Sequence, residues 1–141
     1  MITFFTKKNF AKGTLASAIP AVATQVILNA GHNLPTTGSF RAIIWNNVTY
    51  SYPPDDPNME IVTAVLNAGD TYDITRAQEG TPASTHAASD RMALHFTAGQ
   101  SAELETEINV KASLTGTETL TNKILTYPIV SNVSLPTADS T

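Results

Sequence analysis

The 141-residue chain contains no cysteine. A disulfide framework, a thiol nucleophile and a thiolate metal site are all excluded, although the absence is compatible with any compartment. Charge is also scarce: Asp, Glu, Lys and Arg make up 14% of the residues, against about a quarter in an average domain. The formal net charge is −4 and the pI about 5.2, so the chain has no basic footprint for DNA or RNA. Long hydrophobic runs are missing. The most apolar stretch, 14–30, holds Pro20 and is too short and broken to span a bilayer. The opening MITFFTKKNF places its lysines after its apolar residues, the reverse of a signal peptide. These features predict a soluble protein without membrane insertion. Neither a Gly-rich phosphate loop nor a G-x-S-x-G context occurs, and no serine has a base at a meaningful spacing. Enzymatic activity and cofactors are not expected.

What is present is 42% hydrophobic residues, with polarity drawn from Thr, Ser and Asn, in a 15.0 kDa chain that fits one small domain and an appendage. Up to Thr97 the pattern is all-β. Strands are predicted at 24–28, 40–45, 59–66, 72–76 and 91–96, each bounded by turn signals such as Asn29-Ala-Gly31 and Asn67-Ala-Gly69-Asp70. Between the second and third lies a polar excursion, 46–58, whose Pro53, Pro54 and Pro57 bar it from a central strand. Strands 59–66 and 72–76 read as a hairpin. The fold class predicted is mainly β, a small antiparallel β-sandwich or barrel, followed by a short α-helix and an extended Thr-rich fibre-like tail.

The helix is predicted over 98–112, about 22 Å long at about 1.5 Å per residue. Thr97 stands as N-cap with Gln100 completing a capping box, and Lys111 lies near the C-terminus, where a cation is favoured. Its apolar stripe is thin, Leu104 and Ile108, and fits either packing on the β domain or a short self-associating bundle. The divisions read from this pattern are an N-terminal segment 1–12, a β domain 13–97, a helix 98–112 and an extended tail 113–141. In the tail, apolar residues recur at Leu120, Leu125, Val130 and Leu135, a spacing of five that matches neither helix nor strand. Within LTGTETLTNKIL, 114–125, threonines at 115, 117, 119 and 121 put one face of an extended chain entirely in Thr, leaving nothing of its own to bury. The chain reads at Thr141 as though cut from something longer.

Candidate sites are few. Glu60 and Arg76 fall on the paired strands, and a structural ion pair is expected. Of the histidines, His32 lies in a loop and His95 in a strand. One imidazole per chain on a threefold axis is a metal-site alternative, but hydrogen-bonding roles are the default, with His86 fixing a turn. Asp55, Asp56 and Asn58 lack the Gly and terminal Glu of a calcium loop and read as a solvated loop. Trp45, Tyr50 and Tyr52 surround the excursion: they either cover the core, stack on a glycan or receptor, or dock a neighbour. Phe4, Phe5 and Phe10 flank Lys7 and Lys8, and aromatics this dense need burial on the domain or a partner.

Several of these segments resemble structural proteins of tailed bacteriophages. The residues concerned are Leu15-Ala-Ser-Ala-Ile19, Gly38-Ser-Phe40, Glu60-Ile-Val-Thr63, Gly69, Thr75-Arg76-Ala-Gln78, Glu79-Gly-Thr81 and His86. The segment LTGTETLTNKIL is similar to the T-G-T-x-T-L-T-N-K-T-L linker that introduces phage tail-fibre shafts, with Ile124 in place of threonine. Ala77 stands where glycine is common, and the excursion 46–58 replaces a shorter connection. The resemblance implies a virion protein assembled in the host cytoplasm: the tail-proximal part of a tail or side fibre, a homotrimer, docked to other tail or baseplate proteins during host attachment. Segment 1–12 would be its anchor, the helix 98–112 a candidate trimerisation element and the tail 113–141 shaft-like. Leu104, Ile108, Leu120 and Leu125 would be trimer contacts, and three copies would bury the Thr face mutually. A glycan- or receptor-binding β module is the alternative. A capsid fibre or decoration protein shares the physics of the fibre.

Overall fold

The computed structural model of the chain describes residues 5–111. Six strands form one antiparallel sheet: β1 (Lys12–Thr14), β2 (Gln25–Ile27), β3 (Ser39–Trp45), β4 (Glu60–Ala68), β5 (Thr71–Thr75) and β6 (Arg91–Ala93), in the order β1-β6-β3-β4-β5-β2. A helix, α1 (Ala98–Lys111), follows. The sheet curls into a half-barrel, so of the two architectures left open by the sequence it takes the barrel-like one. Its edge strands meet at one bridge, Leu15 with Leu28, where Ala16 N–H donates to Ile27 O at 2.8 Å and Asn29 N–H to Thr14 O at 2.9 Å. The meeting leaves little open edge for another chain to extend.

Residue period explains the two faces. Along β3, Phe40, Ala42 and Ile44 point inward and pair across to Ala64, Val62 and Glu60 of β4. With Leu15, Val26, Leu28, Leu34, Tyr72, Ile74 and Met92 they make the main core. Arg41, Ile43 and Trp45 lie on the other face and are also buried, which is why β3 reads as a nearly continuous apolar run. The cover over Trp45 is the excursion 46–58. Trp45 Nε1 donates to Tyr50 O at 3.3 Å, and Ile43, Trp45 and Ala93 pack with Tyr50, Met59 and Ile61. Pro53 and Pro54 sit in a short 3₁₀ turn, Pro53–Asp55, where a missing amide costs little, and Pro57 follows it. A register shift between Leu66 and Ala68 bulges β4 just before its Gly69-Asp70 turn into β5, and bulges of this kind add the twist a curled sheet requires.

Three expectations shift. β1 is a strand that the sequence pattern does not announce. The last strand stops at Ala93, so His95 lies beyond it and not in a strand. The helix ends at Lys111 within the described residues, and the predicted tail, 113–141, lies outside them.

Candidate functional site

Glu60 is wholly buried on the inner face, opposite Ile44. A carboxylate there must be fully paired, and it is. Oε1 accepts from Arg76 Nε at 2.8 Å and from Ala77 N–H at 2.8 Å. Oε2 accepts from Arg76 Nη2 at 2.5 Å and Ser84 N–H at 3.1 Å, and lies 3.2 Å from His86 Nε2. Burial pushes the Glu60 carboxyl up, but Arg76, His86 and the two amides outweigh it and hold it at about 2, below the ordinary 4.5. Arg76 uses its remaining donors on Pro20 O, at 3.0 Å, and on Ser84 O. His86 also faces Asp90 across 3.6 Å, while its backbone pairs with Ile19 in both directions. The structure thus brings Glu60, Arg76 and His86 into one cluster that ties β4 and β5 to the connections at 20, 77 and 84. All lone pairs of the carboxylate have work inside the protein, which makes the cluster a staple rather than an acid or base awaiting a substrate.

A second node lies on the outer face. The buried Arg41 guanidinium meets Gln78 Oε1 at 3.0 Å, Glu79 at 3.3 Å and Glu103 of α1 at 3.5 Å, with the Phe5 ring 4.8 Å from its centre. Glu79 holds the start of the helix: it accepts from Thr97 Oγ1 at 2.5 Å and from Gly99 N–H at 2.8 Å, where a negative group suits the helix dipole. The capping box forms beside it, with Thr97 N–H donating to Gln100 Oε1 at 3.1 Å. Polar contacts therefore fasten α1 by its first turns, while Leu104 and Ile108 are 40% and 55% exposed. Neither Arg41 nor Glu79 stands out in the sequence as a tether; only the resemblance touches Glu79, and a lone Arg in an apolar strand is the one other signal.

The remaining candidates separate. Phe5 is drawn onto Arg41, whereas Phe10 is 92% exposed, and Phe4 lies outside the described residues with Leu120 and Leu125. Trp45 is buried and Tyr50 half-buried, leaving Tyr52, 70% exposed, as the member of that trio offered to solvent. His32 pairs with Asp70 at 3.2 Å, and His95 packs edge-on to Trp45 at 5.7 Å, where partial burial pushes its imidazole down. Asp56 does not form a solvated loop: it is buried and accepts Asn46 and Asn58 amides at 2.8 Å each, closing the excursion. Among the described residues, no group of three or more His, Asp or Glu side chains is placed to hold a metal ion, and no helix is long and apolar enough to cross a membrane.

What is open is a groove on the outer face. A cavity of about 400 Å³ runs along Phe10, Trp45, Tyr52, Arg91 and His95, and a neighbour of about 280 Å³ continues it along Lys8 and Phe96. Compared with known proteins, the chain matches no family model and no curated sequence.

Proposed function

We propose that this chain is a non-enzymatic structural module of a tailed-phage virion, the attachment end of a trimeric tail fibre that docks the fibre onto the tail or baseplate. One observation supports it most. Glu60, Arg76, Glu79 and His86, which lie in the segments that carry the resemblance, are consumed in internal staples, while the large apolar side chains left exposed include Phe10 in the N-terminal segment, Phe96, and Leu104 and Ile108 on the helix. A module that buries these charged groups in internal staples and offers Phe10, Phe96, Leu104 and Ile108 to the outside is suited to be held by, and to hold, other chains.

The glycan-module reading loses two of its three aromatics to the core cluster around Trp45. Antibodies against the chain, imaged by electron microscopy on virions that contain it, test the attachment. Label where the fibre joins the tail is the expected result. Label over the capsid would move the chain to a decoration protein, and label at a distal fibre tip would favour receptor binding.

A further inference from the structure

We propose that the groove from Tyr52 to Phe96 seats an extended acidic, apolar segment of a second polypeptide, with Arg91 as its carboxylate anchor and Phe10 as its apolar clamp. The proposal rests on the docking role above and names the chemistry of the partner. Three observations lead to it.

Phe10 has φ 56°, the left-handed region that a bulky side chain rarely enters, and its ring is almost fully exposed. The left-handed backbone costs free energy and the exposed ring recovers none of it inside the domain, so the strained posture points to a use for the ring outside it. The posture is enforced: Asn33 Nδ2 donates to Phe10 O at 3.1 Å and Asn33 Oδ1 accepts Lys12 N–H at 2.7 Å. Arg91 is the second oddity. Its guanidinium lies 5.9 Å over the Trp45 ring with Nε buried and unpaired, and no carboxylate among the described residues forms an ion pair with it. The third is charge. Acids outnumber bases 12 to 8 in the chain, yet the groove is lined by Lys8, Lys12 and Arg91 and by no Asp or Glu.

A concave apolar wall with a cationic floor selects anionic, apolar chemistry, and an Arg already stacked on a ring keeps its fork free for a carboxylate. A neutral saccharide would want carboxylate acceptors for its hydroxyls, and the groove has none. A polypeptide alternating acidic and apolar side chains satisfies both walls.

Selecting a random-peptide library against the immobilised full-length chain tests this. The expected peptides pair Asp or Glu with aromatic or aliphatic residues and weaken as ionic strength rises. Their affinity should fall about ten-fold or more in Arg91→Ala and in Phe10→Gly. The second variant removes the ring while giving the left-handed backbone the residue that suits it, so its fold should survive. Neutral or basic winners, or winners indifferent to both variants, overturn the proposal. So do winners that reproduce the chain's own 112–141 sequence, or competition by an oligosaccharide. Failure here with a trimeric chain would leave the fibre reading standing, whereas a monomer that still binds acidic peptides through Phe10 would leave the groove without the fibre.

Discussion

At the scale of single residues, the telling feature is how much backbone strain the connections carry. Ala77 sits at φ 55°, left-handed, because its N–H must reach Glu60 Oε1. A non-glycine there costs about 1–2 kcal/mol, partly offset by glycine's greater freedom when unfolded. Ala77→Gly should therefore stabilise the protein by about 1 kcal/mol in urea unfolding, with the fold unchanged. Glu60 makes the opposite case. Its folded pKa of about 2 lies below the ordinary 4.5, so the unfolded chain binds more protons as pH falls between the two. The stability it contributes is present above pH 4.5 and lost as pH falls through about 2, roughly 3 kcal/mol in all. Glu60→Gln should flatten that acid loss. It should also lower stability at neutral pH by about 3–5 kcal/mol, because Arg76 is left buried without its counter-ion. Denaturant midpoints at several pH values read both effects.

At the scale of elements, α1 depends on Glu79. The carboxylate caps Thr97 and Gly99 and faces Arg41 in the sheet, so the helix start and the barrel share one acid. Glu79→Ala should cost about 1–2 kcal/mol, as lost caps do, and should speed amide hydrogen exchange over residues 98–103 more than in β3 or β4. Much of this level was legible beforehand. Phe40–Trp45 and Met59–Leu66 announced themselves by β-branched, apolar runs, the Gly69-Asp70 turn marked the hairpin, and Thr97 with Gln100 marked the helix start. Because strands 59–66 and 72–76 were paired, Glu60 and Arg76 could be placed together. β1 was not legible: three residues, Lys12-Gly-Thr14, have no period of their own and become a strand only because Met92 and its neighbours lie beside them. Asp56 and Asp90 look like loop acids in sequence, yet each is buried and accepts amide N–H groups of its own loop, which composition alone does not reveal. The groove was illegible for a different reason. Phe10, Trp45 and Arg91 are far apart in the chain, and the curl of the sheet unites them.

At the scale of the whole molecule, the account turns on association. The edge strands of the half-barrel meet at the Leu15–Leu28 bridge, which leaves little edge for strand addition. On the proposed fibre reading, contact with other chains would therefore fall to the helix stripe, Phe10 and the groove. Leu104 and Ile108 are four apart on one helix face and exposed together, the arrangement a parallel bundle would bury. Replacing both by aspartate should leave the unfolding free energy of the half-barrel within about 0.5 kcal/mol of its original value, as exposed-site changes do, while abolishing association. The decisive measurement is the absolute mass of the full chain by light scattering across a range of concentrations. The account predicts three times 15.0 kDa, falling to one chain in the Leu104→Asp, Ile108→Asp variant. A mass of 15.0 kDa for the unmodified chain at every concentration would contradict it.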